Sequence, residues 1–319
     1  MDSTLTIPEI TLKSGTGKIP VLGFGTASDH PFDSETTKTA ILQAIEIGYR
    51  HFDTAALYNS EQPLGEAVAE AINRGLIKSR DELFITSKLW CSDAHGHRVL
   101  PALKKTLENL DMVYVDLYLI HWPVSARPGK VEYPIKAEDF VAMDFESVWA
   151  AMEECQIIGL TKSIGVSNFS CTKLQQILAI AKIHPAVNQV ELNPCWQQKK
   201  LIEFCKEKGI LVFAYSCLGS GGTNRVMESQ VLKQISKAKG KTVAQVSLRW
   251  GYDQGIGMVV KSFNKERMKQ NIEIFDWSLN SEEVNKISEI PQGRAFLGVD
   301  YTSVYGPYNT IQQLWDEQI

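Results

Sequence analysis

Eight short apolar or β-branched runs recur along this chain, at residues 21–25, 49–53, 83–89, 115–122, 163–167, 187–192, 211–218 and 257–262. Longer stretches with helical spacing separate them. Residues 36–47 carry Ala40, Ile41, Ala44 and Ile45, and Gly48 follows where a helix cap needs left-handed backbone. The stretches 62–74, 144–158, 204–208 and 231–239 are likewise followed by Gly75, Gly159, Gly209 and Gly240. Strands that alternate with helices pair in parallel, so this order predicts an α/β fold, a (β/α)8 TIM barrel, rather than a sandwich or bundle. A β-hairpin is expected before the first strand, from residues 9–13 and 18–20 with a Gly15-Thr16-Gly17 turn. No Pro-rich or Gly/Ser-rich linker divides the 319 residues, so one barrel domain over residues 1–319 is expected.

With 44% hydrophobic residues the chain can build a large core, and a net charge of -4 gives no general attraction to nucleic acid or anionic membrane. Met1-Asp2-Ser3-Thr4 is not the basic start of a signal peptide, and no apolar run reaches membrane-spanning length. Cys91, Cys155, Cys171, Cys195, Cys205 and Cys217 show no CxxC or paired metal spacing. Reduced thiols in a cytoplasmic protein without bound metal are the expectation, and nothing in the pattern demands more than a monomer.

Two stretches exceed a minimal barrel. Residues 123–143 follow the fourth barrel strand, contain three prolines and are expected as a loop on the catalytic face. Residues 292–307 carry Phe296, Tyr301 and Tyr305 without periodicity, before a short helix at 310–317. The second stretch is a long C-terminal substrate loop, since barrels keep their specificity in loops on the face where the strands end.

Asp53, Tyr58, Lys88 and His121 stand at or just beyond the ends of the second, third and fourth barrel strands. In a parallel barrel those ends open on one face, so the four side chains are expected to meet. A phenol titrates near ~10 and gives up its proton at neutral pH only where its anion is stabilised. Lys88 would do that by charge, and Asp53 would hold the ammonium in place. A neutral His121 could donate a hydrogen bond to a carbonyl oxygen while Tyr58 delivers the proton. No nucleophile elbow is present for acyl transfer. Taken singly, each residue has an ordinary alternative: a packing tyrosine, a capping aspartate, a solvated lysine.

At these residues the chain resembles the aldo-keto reductase family. The similarity is carried by Gly48-Tyr49-Arg50-His51-Phe52-Asp53-Thr54-Ala55-Ala56-Leu57-Tyr58, by Ile85-Thr86-Ser87-Lys88-Leu89-Trp90, and by Asp116-Leu117-Tyr118-Leu119-Ile120-His121-Trp122-Pro123. Ile164-Gly165-Val166-Ser167-Asn168-Phe169 and Val260-Lys261-Ser262-Phe263 extend it. Within the family the chain is most similar to plant ketone reductases of specialised metabolism, of the codeinone, chalcone (polyketide) and methylecgonone reductase kind. The resemblance implies a barrel that binds NADPH across its catalytic face, with no Rossmann fold. Accordingly, Gly23-Phe24-Gly25-Thr26 lacks the third glycine of a dinucleotide fingerprint.

By that resemblance Tyr58 is the proton donor, Asp53 and Lys88 tune it, and His121 orients the carbonyl. Ser167, Asn168 and Gln189 would hold the nicotinamide carboxamide and Tyr215 would stack on the ring, with Thr26, Asp53, Ser216 and Leu218 also lining the cofactor. Lys261, Ser262, Phe263 and Arg267 would take the 2'-phosphate end. A physical argument supports this last assignment, because a helix start with two cations and a hydroxyl favours an anion. Gln270 and Asn271 would approach adenine, with Gln270 standing where many relatives have Glu. Residues 219–224 form a shorter loop than expected over the pyrophosphate, which predicts faster cofactor release.

Ala27, Trp90, Trp122 and Phe296, with other aromatics of residues 292–307, would line an apolar pocket for a bulky small-molecule carbonyl substrate. The expected function is NADPH-dependent reduction of a plant ketone or aldehyde, of alkaloid or polyketide type, to the alcohol. Two alternatives stand beside it. One is a non-catalytic NADPH-binding protein. The other is an enone C=C reductase, although relatives of that kind carry Glu in place of His121.

Overall fold

The computed structural model describes residues 6–15, 17–27, 33–219 and 224–317. Strands β1 (Glu9–Thr11) and β2 (Lys18–Pro20) pair antiparallel with Ile10 opposite Ile19, forming the expected hairpin. Thr16 of its turn lies outside the described residues, as do residues 220–223 of the loop beyond the seventh barrel strand.

The barrel begins with β3 (Leu22–Gly25), α1 (Ser34–Ile47), β4 (His51–Asp53), α2 (Glu61–Asn73), β5 (Phe84–Leu89), α3 (Gly96–Leu110) and β6 (Val115–Ile120). A short antiparallel ribbon, β7 (Ser125–Ala126) with β8 (Phe140–Val141), then interrupts the stretch expected to be loop. The chain continues through α4 (Phe145–Ile157), β9 (Thr161–Ser167), α5 (Cys171–Ile180), β10 (Val187–Glu191), α6 (Lys199–Lys208) and β11 (Leu211–Tyr215). It ends with α7 (Arg225–Glu228), α8 (Gln230–Lys239), α9 (Val243–Asp253), β12 (Gly257–Val260), α10 (Lys265–Ile272), α11 (Ser281–Ser288) and α12 (Ile311–Trp315).

The eight longer-range strands close into a parallel barrel in the order β10-β11-β12-β3-β4-β5-β6-β9. Each of the eight apolar runs supplies one of them. The glycine stops also act as the sequence suggests. Gly48 adopts φ 117° and its N–H returns to the carbonyls of Ala44 and Ile45, ending α1. Helix α6 is longer than the stretch 204–208 and starts at Lys199, because Leu201 supplies an earlier buried contact than the short apolar run suggests.

Two apolar layers hold the fold. Phe84, Leu117, Leu119, Val187, Phe213 and Val259 pack with Leu12 and Ile19, so the hairpin joins the layer at the barrel's N-terminal end. The outer layer lies between strands and helices, including Ile41, Ile45, Leu64, Leu103, Leu107, Trp149, Leu174 and Leu248. Closing one end leaves the other, where all eight strands terminate, to carry chemistry. Five of the six cysteines are buried, Cys171 is half-buried, and none is in a disulfide. Among the described residues no helix is long and apolar enough to cross a membrane.

Candidate active site

Asp53 closes β4, and parallel pairing sets it beside Gly25 on one side and Thr86 on the other. Lys88 lies two residues further along β5 and is fully buried. Its Nζ donates to Asp53 Oδ1 at 2.5 Å and to the carbonyl of Thr54 at 3.0 Å. Tyr58 ends a short 3-10 turn, Ala56–Tyr58, directly beyond β4, and its ring centroid is 4.8 Å from the Lys88 ammonium. His121 follows β6 at once, and its Nε2 is 3.2 Å from the Tyr58 hydroxyl. All four expected side chains therefore share one cluster.

The electrostatics differ from the simplest expectation in one respect. Burial, with help from the Asp53 carboxylate, pushes the Tyr58 phenol well above its usual range. The Lys88 ammonium, already paired with Asp53 at contact distance, does not outweigh that burial. Tyr58 is consequently protonated at neutral pH. His121 is held well below the normal imidazole range by burial and by the Lys88 charge, so it is neutral. Its Nδ1 is buried without a hydrogen-bond partner. A protonated phenol and a neutral imidazole, side by side, can both approach one carbonyl oxygen as hydrogen-bond donors.

The residues expected at the nicotinamide end form a connected net. Ser167 ends β9 and its Oγ donates to the Gln189 carbonyl at 2.8 Å. Gln189, on β10, donates through Nε2 to Asp53 Oδ2 at 2.7 Å. Asn168 takes left-handed backbone at φ 65°, which directs its Nδ2 to the His121 carbonyl, while its Oδ1 accepts the Tyr215 hydroxyl at 2.7 Å. Tyr215 is half-buried at the end of β11. Thr26 is committed to protein partners, its Oγ1 donating to the Asp53 carbonyl at 2.9 Å and lying 2.7 Å from Ser60 Oγ. Ser216 and Leu218, just beyond β11, are half-buried.

The charged end lies beyond β12. Lys261 and Arg267 are exposed, Ser262 is half-buried, and Asn264 caps α10 by accepting the Arg267 N–H. Phe263 stacks on Phe24 at 6.3 Å and 12°. Gln270 is half-buried, whereas Asn271 is buried in the same helix. A cofactor with an amide at one end and a phosphate at the other fits these donors: side-chain amides and a phenol at the barrel mouth, two exposed cations and a helix start at the rim.

Aromatic side chains crowd beside His121. Trp90 stands edge-on to it at 5.2 Å and donates through Nε1 to the Glu132 carbonyl. Trp122 stacks on Tyr301 at 3.8 Å and 18°, with Phe296 at 5.6 Å and Trp315 at 5.8 Å. Ala27 is exposed at the end of a described stretch. Tyr305, expected among the lining aromatics, is instead 70% exposed. It follows the tight turn in which Ser303 Oγ accepts its N–H, and that turn directs it away from the packed aromatics. Trp315 was not among the expected residues. It lies in α12, and nothing in the local pattern distinguishes it from a packing tryptophan.

A family model described as "Aldo/keto reductase family" matches residues 21–292. The chain is 59% identical to a (1S)-1,7-diacetoxy-luvungin A aldo-keto reductase of Citrus sinensis over 317 residues, covering 98% of this chain and 99% of that one. It is 57% identical to an NADPH-dependent codeinone reductase of Papaver somniferum over 316 residues, 98% of each. Among solved structures, a Bombyx mori aldo-keto reductase in complex with NADP superposes with a TM-score of 0.80 at 35% identity. That match covers 91% of this chain and 95% of that one.

Proposed function

The chain belongs to the aldo/keto reductase family, and from that premise we propose that it is an NADPH-dependent carbonyl reductase. Its substrate is a bulky ketone or aldehyde of plant specialised metabolism, which it converts to the alcohol. The observation that carries the reading is the contact between a protonated Tyr58 and a neutral His121, with a buried Lys88–Asp53 pair behind them.

When bound, the reduced nicotinamide supplies hydride to the carbonyl carbon. The chain's own residues do the rest. Tyr58 and His121 direct the carbonyl oxygen, and the Tyr58 hydroxyl proton goes to that oxygen as negative charge develops there. A Lys ammonium has three N–H donors, and two of Lys88's go to Asp53 and Thr54. The third is available to the phenolate that proton donation leaves behind. Donated to that anion, it would offset part of the cost of burying the charge.

Asn168, Gln189 and Ser167 would hold the carboxamide, and Tyr215 would cover the ring. Lys261, Ser262 and Arg267 would hold the 2'-phosphate. Trp90, Trp122, Tyr301 and Phe296 favour a large apolar substrate, and the relatives are named for (1S)-1,7-diacetoxy-luvungin A and codeinone. The decisive variant is Tyr58→Phe. NADPH consumption with a panel of aldehydes and polycyclic ketones should fall by about a hundredfold or more, while NADPH binding, read by fluorescence, stays close to wild type. Normal turnover by Tyr58→Phe would remove the phenol from the mechanism.

A further inference from the structure

Two buried charges outside the cluster are committed to the C-terminal segment. Glu191, the last residue of β10, is completely buried. Its carboxylate accepts the backbone N–H of Ala295 through Oε1 and that of Phe296 through Oε2, each at 2.9 Å. Lys173 lies in the first turn of α5 and is only 2% exposed. A cation there is disfavoured twice, by lost hydration and by the positive end of the helix dipole. Its compensation comes from the far end of the same segment. Nζ donates to the Leu314 carbonyl at 2.8 Å and pairs with Asp316 at 2.7 Å, and it sits 4.6 Å from the Tyr308 ring centroid. Ser170 Oγ also donates to Asp316.

Between these two attachments lie side chains of the aromatic cluster beside His121. Phe296 adjoins the Glu191 end. Trp315 adjoins the Lys173 end, donates through Nε1 to the Leu297 carbonyl at 2.7 Å, and lies under the Arg294 guanidinium at 3.5 Å. Tyr301 stacks on Trp122 between them. In the middle Tyr301 and Ser303 are buried, Ser303 Oγ donating to the Ala137 carbonyl, while Val299 and Val304 are 59% and 78% exposed. The segment is thus a strap fixed at both ends by opposite charges and held between them by the Tyr301 stack on Trp122 and the Ser303 hydroxyl.

We infer that Glu191 and Lys173 are positioning residues that set selectivity for bulky carbonyl substrates by pinning residues 295–316 across the pocket. The inference rests on the proposed reductase activity and assigns the control of that site's selectivity. A small aldehyde needs the phenol, the imidazole and the cofactor. A polycyclic ketone needs the wall of Phe296, Tyr301, Trp122 and Trp315 as well.

The test uses Glu191→Gln, Lys173→Met and Asp316→Asn in the full-length protein. One arm is hydrogen exchange, which requires no turnover. Amides of residues 295–297 should exchange at least about tenfold faster in Glu191→Gln, and those of 311–316 in Lys173→Met, while β5 and β6 keep their protection. The other arm compares kcat/KM for 4-nitrobenzaldehyde with that for the bulkiest polycyclic ketone that the wild-type protein reduces. The ratio should shift about tenfold against the ketone, chiefly through KM, with NADPH affinity unchanged. Asp316→Asn should add little to Lys173→Met, because both break one contact. Equal losses on both substrates, or unaltered exchange, would overturn the inference. Absence of turnover by the wild-type protein would instead strike the reductase reading and leave the exchange result to judge the pinning.

Discussion

Gln189 Nε2 lies 2.7 Å from Asp53 Oδ2, although β10 and β4 stand on opposite sides of the barrel. The other oxygen of the same carboxylate holds Lys88. Asp53 therefore ties the side chain proposed to contact the carboxamide to the cation proposed to support the phenol.

Removing that carboxylate's charge leaves a fully buried ammonium without its counter-ion. Asp53→Asn is expected to cost about 3 kcal/mol of folding stability. Asp53→Asn combined with Lys88→Met should recover much of the loss, because the stranded charge is gone. Urea denaturation monitored by tryptophan fluorescence gives both values. A single variant as stable as wild type would show that the pair is hydrated in solution.

Cofactor discrimination is expected to reside beyond β12. Lys261 and Arg267 are exposed and have no acidic partner among the described ion pairs, so both can meet a phosphate. Replacing both with alanine should weaken NADPH binding by about a hundredfold, and NADH binding by less than about threefold. Titration of each dinucleotide against intrinsic fluorescence measures this. Equal losses would move the phosphate contact elsewhere.

Stability should fall in mild acid. His51 is buried beside Thr86 Oγ1, and burial pushes its imidazole down to about 4 from an ordinary 6.5, against the opposing pull of Asp53. The unfolded chain binds this proton first as pH falls, so stability is intact above about 6.5 and is lost progressively down to about 4. The loss from this residue is roughly 3 kcal/mol over the whole range. His121 titrates in the same direction, its pKa also depressed by burial. Denaturation midpoints measured near pH ~7.5 and ~5 should therefore differ less in His51→Asn than in wild type, though not vanish. An unchanged difference would exclude His51 as a source.

The clustering of Asp53, Tyr58, Lys88 and His121 was readable because each follows an apolar run, and a parallel barrel sends all such ends to one face. The direction of the Tyr58 shift was not readable. It depends on Asp53 lying at contact distance from Lys88, and on the phenol losing water, neither of which has a sequence pattern. Trp122 and Phe296 could be named because one follows a strand and the other lies in a long loop. Trp315 and Glu191 could not, since a buried tryptophan in a short helix and a strand-end glutamate have ordinary explanations.

Periodicity alone determined the order and number of the barrel strands, because a side chain's inward or outward direction repeats with the local backbone. It also determined which helices stop at glycine, since the left-handed cap is a local property of one residue. Only the tertiary structure decided which charges neutralise one another, where Gln189 reaches, and how residues 295–316 are fastened. Those depend on distances between residues far apart in the chain, 35 positions for Asp53 and Lys88 and more than a hundred for Glu191 and Phe296 or Lys173 and Asp316. Such distances exist only after the barrel has closed.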